Sequence, residues 1–417
     1  MPRLRYDFVN ALSLAFDSIR AHKLRSFLTL LGVIIGVASV IMVGSAIEGL
    51  AVYAEQSTAK AFGSDSYLVA QVASAGRSSR KEFFDKLRRN KQFRLVDDRY
   101  LETTNGDNTL YSPYQQRTAD IKREGLICED SSVLGVSASL VDIRDLALVD
   151  GRFFTDQEER ARSAVVAIGD ETRTTLFPDG SSPLGKSIKI NGIDFIVVGV
   201  QEKLGSAFGR SQDKSAYIPI TVYNRLYGPG QSIAIFGRAK PSSGLTLQQS
   251  LDLTRVALRT RFHTRPGQAD NFDTLTPDAI RGFIDQLLAL VTAIVIPVTC
   301  ISLVVGGIVI MNIMLVSVTE RTREIGIRKA LGARRLDLML QILIESLLMS
   351  CIGGAIGVLL GAAVTTLISH VFEIKMQITW PYVLLSLGVS SLVGIASGWY
   401  PASRAAKLDP IVALRSE

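Results

Sequence analysis

The chain has 417 residues, 47% of them apolar and 20% charged, and its 46 basic and 39 acidic side chains leave a net charge of +7. Its mean hydropathy of +0.26 excludes a disordered chain and is too apolar for one ordinary water-soluble domain. Residues 49–284 hold 59 charged side chains in 236 (25%), whereas the two ends together hold 26 in 181 (14%). This pattern predicts two membrane-embedded ends flanking one water-soluble block.

In chain order, residues 1–25 come first. Phe8, Leu12, Ala15, Phe16 and Ile19 share one helical face, with Asp7, Asn10 and Asp17 elsewhere, which predicts a cytoplasmic amphipathic helix lying in the membrane interface. Residues 26–48 form the first span. Its centre, FLTLLGVIIGVASVIMVGSAI at 27–47, carries no charge over 21 residues, enough to cross a hydrocarbon core of roughly 30 Å. A cleavable signal peptide fits less well, because its apolar core would be about 7 to 15 residues long and would end in a small-residue cleavage site. Helix-forming residues continue past the span to Gly63, where a C-cap is expected.

The soluble block, 49–284, reads as a mixed α+β domain of two lobes. SIKI, Asn191-Gly192 and IDFIVVGV follow one another, and Asn-Gly between alternating apolar runs predicts a hairpin. YIPI at 217–220 predicts an edge strand because of Pro219, and 81–87 and 245–262 have helical composition. The stretches 73–80 and 105–108 read as mobile loops. Cys128 is the block's single cysteine, so no intramolecular disulfide is available to it.

GSSPLGKS at 180–187 matches the phosphate-loop pattern letter for letter. That loop needs a helix leading out, so that backbone N–H groups converge on the phosphates. Here a strand and a hairpin follow, and Pro183 removes one donor. A turn before a strand is the expected reading.

Spans two to four are placed at 285–316, 338–369 and 379–400, separated by the loops 317–337 and 370–378 and followed by the tail 401–417. Helical pattern over 278–318 would reach about 60 Å, twice the hydrocarbon thickness. The long helices entering and leaving the soluble block therefore predict a paired stalk that transmits movement. Gly32 and Gly36 in span one, Gly353, Gly357 and Gly361 in span three, and Gly394 and Gly398 with Ser390 in span four supply small faces for close helix packing in lipid. Glu345 is expected to pair with Arg334 or Arg335 near the membrane edge. Basic residues crowd the N-terminus, the 317–337 loop and the tail, whereas 370–378 offers Lys375 balanced by Glu373. Both termini are thus expected in the cytoplasm and 49–284 outside it.

The 317–337 loop contains ERTREIGIRKALGARR, in which Ile325, Ile327, Ala330 and Leu331 sit among charges. Glu320 with Arg323 and Glu324 with Arg328 support a short helix, with Gly332 as its cap. Its apolar face must be buried on lipid or on a partner.

At this point AHKLRSFLTLLGVIIGVASVIMV, GRFF with AVVAIG and PLGKSIKINGIDFIVVGV, NIMLVSVTERTREIGIRKALGARRLDLMLQILIES and PASRAAKLDPIVALRSE together resemble the permease part of MacB-type ABC transporters in the FtsX-like superfamily. The resemblance covers nearly the whole chain. It implies an inner-membrane protein of four transmembrane helices, one plus three, with a periplasmic α+β domain of porter and sabre lobes between the first and second.

It further implies a permease that dimerises with a second copy or a paralogue. A separate ABC ATPase subunit would bind Glu320, Arg321, Arg323, Glu324, Ile325, Ile327, Arg328 and Leu331. Energy would pass through the stalk to the periplasm as mechanotransmission, extruding substrate without carrying it through the membrane. A periplasmic adaptor and an outer-membrane channel belong to the partners the resemblance allows, beside membrane lipid; nucleic acid does not. The stretch 81–108 carries no pattern of that family.

No catalytic residue, metal ligand or cofactor is expected in the chain itself. His22, His263 and His370 sit in unrelated segments, and no H-x-x-x-H, C-x-x-C or G-x-S-x-G occurs. The alternatives are a lipoprotein-releasing permease or a regulator of a periplasmic cell-wall hydrolase, both of the same superfamily. A membrane-anchored receptor is disfavoured by the short tail.

Overall fold

A computed structural model describes residues 23–63, 65–76, 79–207, 210–228, 232–372, 376–409 and 413. The amphipathic segment expected near the N-terminus, Glu373 and Lys375, and most of the extreme tail lie outside those residues. In chain order the helices are α1 (Lys23–Phe62), α2 (Arg80–Arg89), α3 (Leu95–Asn105), α4 (Leu140–Ile143), α5 (Asp156–Arg160), α6 (Asp170–Leu176), α7 (Ile220–Tyr227), α8 (Leu247–Arg261), α9 (Pro277–Glu320), α10 (Thr322–Ala330), α11 (Arg335–Phe372) and α12 (Trp380–Lys407). The strands are β1 (Ser66–Ala70), β2 (Thr109–Arg123), β3 (Leu126–Val136), β4 (Leu148–Gly151), β5 (Val165–Ile168), β6 (Ser187–Ile190), β7 (Ile193–Gln201), β8 (Ser206–Ala207), β9 (Arg210–Ser211), β10 (Ser215–Pro219), β11 (Ala234–Ala239) and β12 (Asp273–Leu275).

The chain divides into two compact units, one of 1–53 with 286–417 and one of 54–285. In the first, α1, α9, α11 and α12 are each long and apolar enough to cross a membrane. Helices α1 and α9 run unbroken for 40 and 44 residues, and α9 does so through Pro297. Each passes the point in the chain where the two units divide.

Small residues set how closely these helices approach. A Cβ added at Gly32 would lie 2.7 Å from Gly306 Cα, and one at Gly36 would meet Leu303 at 2.8 Å. On α11, Gly353 lies against Leu30 and Val33, Gly357 against the Ile34 carbonyl and Val37, and Gly361 against Ala38 and Ile41. On α12, Gly394 fits against Ser350 and Gly398 against Ser346. The same α11–α12 seam carries buried polar links, Ser390 Oγ donating to the Ser350 carbonyl at 2.7 Å. In hydrocarbon such bonds and tight van der Waals contacts supply the association that hydrophobicity cannot.

The second unit is built on a ten-stranded sheet of order β12-β1-β11-β2-β3-β10-β5-β7-β4, with β6 bridging β2 and β7. Two hairpins organise it. Asn191 (φ 46°) and Gly192 (φ 84°) form the two-residue turn between β6 and β7, where only residues tolerant of positive φ turn with the strands' twist. Glu124 and Gly125 do the same between β2 and β3. Gly63, at φ 81°, closes α1 and donates its N–H to the Ala59 carbonyl at 2.8 Å. The 105–108 stretch is the end of α3 and a tight turn, with Gly106 N bonded to the Glu102 carbonyl and Asn108 N to the Asn105 carbonyl.

The strand expected at the sheet edge is interior. β10 pairs in parallel with β3 and antiparallel with β5, and every one of its residues is buried. Pro219 is tolerated because it is the last strand residue and directly precedes α7, while the β5 pairing involves only Ala216 and Tyr217. Pro219 thus stands outside the β5 ladder and at the end of the β3 ladder, opposite Val136.

One core joins Ile121, Val133, Ile168, Phe195 and Ile218, and another joins Tyr67, Phe93, Leu101, Leu251 and Leu258. Beneath α8 the Tyr67 hydroxyl meets Ser250 Oγ at 3.0 Å and Thr254 Oγ1 at 2.7 Å, and Thr254 Oγ1 also meets the Tyr111 hydroxyl at 2.6 Å. These buried hydroxyls satisfy one another, as they must where water is excluded. At the ends of α1 and α9 that belong to this unit, Arg281 pairs with Glu55 at 3.0 Å. That pair is half exposed, so it contributes no more than about 1 kcal/mol.

Candidate functional site

The phosphate-loop match folds as a turn. Lys186 Nζ donates to Ser181 Oγ at 2.6 Å and lies 5.5 Å from the centre of the Phe177 ring. Ser187 starts β6, which leads into the β6–β7 hairpin, so no helix N-terminus faces the loop and the phosphate cradle is not formed. Among the described residues no group of three His, Cys, Asp or Glu side chains is arranged to hold a metal ion.

The segment that remains is α10, at the junction of α9 and α11. α9 ends at Glu320, and Arg321, at φ −100° and ψ 14°, breaks the helix and starts α10 in a new direction. Thr322 Oγ1 returns to the Val318 carbonyl at 3.1 Å, a local bond that ties off the end of α9. Leu331 caps α10, and Gly332 follows at φ 95°.

Three attachments hold α10 to its own bundle. Ile325 is buried, in a core with Met314, Val318, Leu338, Ile342, Ala402 and Ala405. Arg321 Nη1 lies 3.6 Å from Glu345 Oε1, with the Glu345 side chain 10% exposed. Arg328 bonds Glu324 Oε1 at 2.5 Å and Gln341 Oε1 at 2.9 Å, joining α10 to α11. Lys329 adds a fourth link, donating to the Ala406 carbonyl at 3.1 Å and to the Leu408 carbonyl. A cation at the unpaired carbonyls ending α12 is favourably placed against that helix's dipole. A cavity of about 140 Å³ lies beneath α10, lined in part by Ser317 and Leu338.

Two sequence expectations are corrected here. Glu345 reaches Arg321 rather than Arg334 or Arg335. It stands ten residues into α11, about 15 Å of helix rise beyond those arginines, whereas the break at Arg321 brings that side chain alongside. Ile325 and Ile327 also do not share a face. Two helical residues apart means about 200° of rotation, so Ile325 points into the bundle while Ile327 is 44% exposed.

The outward surface of α10 is thus Arg323 and Ile327, continued by Glu320 at the end of α9 and by the cap residue Leu331, with Glu324 at its margin and Leu331 84% exposed. Arg334 and Leu336 extend it. The anchors Gln341 and Lys329 escaped the sequence reading. The signal for Lys329 was a lysine in the last helical turn with a second helix end due nearby; for Gln341 no local pattern points to it.

This bundle and sheet unit match known families. Residues 26–252 match the MacB-like periplasmic core domain, and residues 287–410 match the FtsX-like permease C-terminal domain. Among relatives, macrolide export ATP-binding/permease protein MacB of Bdellovibrio bacteriovorus is 34% identical over 99% of this chain and 62% of its own length. The proteins of the same name from Acinetobacter baylyi (33%, 98% and 59%) and Neisseria gonorrhoeae (34%, 99% and 62%) are similar to the same degree. The chain therefore spans about 60% of the length of these relatives. With a family match across more than half its residues and four membrane-type helices, the chain is a multi-pass membrane protein that belongs to the MacB-like, FtsX-like permease family.

Proposed function

We propose that this chain is the permease subunit of a MacB-type ABC transporter in the inner membrane. It converts ATP hydrolysis on a separate ATPase subunit into movement of its periplasmic domain, and so extrudes substrate. The observation that carries this reading is the two-sidedness of α10. Its inner side is fixed to α9, α11 and α12 through Ile325, Arg321, Arg328 and Lys329, while Arg323, Ile327 and Leu331 are exposed among the described residues.

A short helix with an open mixed basic and apolar face, attached to the bundle by buried contacts, passes a push on that face to the helices behind it. α9 is a single 44-residue helix joined directly to α10, and α1 packs on it through Gly32 and Gly306. The relatives' shared name pairs ATP binding with a permease, which supports an ATPase as the partner at this face. In the same reading both termini are cytoplasmic, two permeases pair, the periplasmic domain carries the output, and an adaptor and outer-membrane channel extend the path.

The test is co-purification from native membranes in mild detergent. Wild type should retain an ATPase, and Ile327→Asp or Glu324→Lys should lose it at least tenfold with the permease still folded. Ile327 is the sharper position, because it is exposed and has no part in the buried core that holds Ile325. Undiminished ATPase recovery with both variants would discard the docking assignment.

A further inference from the structure

One face of the sheet, within the extracytoplasmic unit, is covered incompletely and holds a cavity of about 920 Å³, in the size range of small-molecule sites. Aromatic rings form one part of its wall, and polar side chains such as Gln116, Thr118 and Ser132 form much of the rest. Phe62, Tyr114, Tyr217 and Phe236 line it, with ring centres of Phe62 and Tyr114 5.8 and 5.2 Å from that of Phe236. Across from them runs the segment around Leu204 and Gln212, held by buried Asp213, which accepts from the backbone N–H groups of Leu204 at 2.7 Å and Gly205 at 2.9 Å.

Beside the aromatic part of the wall lies a buried cation. Arg144 is 8% exposed, and its guanidinium lies 6.0 Å from the Phe236 ring centre. Its Nη2 donates to the Lys60 carbonyl at 3.3 Å, but its Nε is buried with no acceptor. No carboxylate pairs with it among the described residues. The other charges of the cavity do not serve it: Lys214 and Glu171 face each other at 3.6 Å, and Asp130 is exposed at the rim. A second orphan, Gln212 Oε1, is buried and receives no donor among the described residues.

A buried guanidinium with an unfilled donor is costly unless an anion completes it. A planar fork of donors matches the two oxygens of a carboxylate, and the aromatic rings beside it suit an acid with an apolar body. We propose that this cavity is a binding site for an amphiphilic carboxylate. Its acid group would accept from Arg144 Nε, its apolar or aromatic body would lie along Tyr114, Tyr217 and Phe236, and a hydroxyl or amide hydrogen would reach Gln212 Oε1. Because Arg144 also holds the last turn of α1 through Lys60, the ligand would be read at the end of that helix. Binding here needs no ATPase, so it stands or falls apart from the coupling proposal.

The experiment uses the full chain in lipid nanodiscs, irradiated with the photoreactive carboxylate 4-benzoylbenzoate. Labelled peptides are mapped by mass spectrometry, and the neutral 4-benzoylbenzamide is run in parallel. The carboxylate should label peptides that carry the cavity lining, and both the benzamide and the Arg144→Met variant should reduce that labelling about tenfold. Thr118→Trp, which fills the cavity from the exposed part of β2 and leaves Arg144 in place, should reduce it as far, and it decides the matter if Arg144→Met does not fold. Equal labelling by the two probes, or labelling unchanged by Thr118→Trp, would overturn the proposal.

Discussion

The two units of this chain solve the same packing problem in opposite solvents. The membrane unit brings backbones together at Gly32, Gly306, Gly357 and Gly361, with neighbouring groups near 3 Å from any added Cβ. The sheet unit instead buries large side chains such as Phe195, Tyr67 and Leu101, each essentially inaccessible, and links its hydroxyls under α8. In water the gain comes from the apolar area removed; in lipid that gain vanishes and closeness of approach replaces it. Removing atoms should therefore damage the sheet unit, and adding them should damage the helical one.

The largest expected effect is on the sheet side. Phe195→Ala should cost about 3 to 5 kcal/mol, seen as loss of hydrogen-exchange protection across β5, β6 and β7, with amides of α11 unchanged. Next, Gly357→Leu should cost about 1 to 3 kcal/mol by overpacking against Val37 and the Ile34 carbonyl, with faster exchange in α1 and α11 and none in the sheet. If either variant loosened both units equally, the contrast would fail.

A third effect belongs to the sheet unit alone and depends on pH. Burial raises Glu159 from its ordinary 4.5 to about 7, and burial also raises Asp98 and Glu102, with like charges on neighbouring carboxylates adding to it. The folded protein then holds protons that the unfolded chain releases, so this stability is full below about pH 4.5 and is lost as pH climbs through about 7. Glu158 acts oppositely. Its hydrogen bonds from Arg152 hold it at about 2, so its contribution is present above pH 4.5 and lost only towards pH 2. Thermal unfolding should thus show a sheet unit more stable at pH 5 than at pH 8, by on the order of 1 to 3 kcal/mol. Glu159→Gln should flatten that difference, and an unaltered slope would remove Glu159 from the explanation. Smallest of all, Lys186→Ala should change stability and transport little, within about 0.5 kcal/mol, because its partners are Ser181 and the Phe177 ring.

What the sequence made legible was local. The spans follow from long charge-free runs, the β6–β7 hairpin from Asn191-Gly192, and the failed phosphate loop from the strand that follows it. Sheet order was not local: β10 lies beside β3, some 80 residues earlier in the chain, and no pattern within 217–220 records that neighbour. At α10 the residues were legible but their directions were not. Ile325 and Ile327 read alike as letters, and the helical rotation between them decides which packs and which is offered to a partner. Arg144 shows the same limit, since its burial and missing acceptor arise from elements far apart in sequence.

The central claim is that a push on the outer face of α10 moves the sheet unit. The direct measurement is an electron-spin distance between labels at Val256→Cys in the two copies of a permease dimer, with Cys128, Cys300 and Cys351 replaced and the ATPase partner bound. Val256 is 63% exposed on α8, so a label there reports the sheet unit without disturbing its core. A distance distribution that shifts when the ATPase is trapped with ATP and vanadate, and that does not shift in Ile327→Asp, is the predicted result. Identical distributions in the free and trapped states of the wild type, with ATP hydrolysis intact, would contradict it.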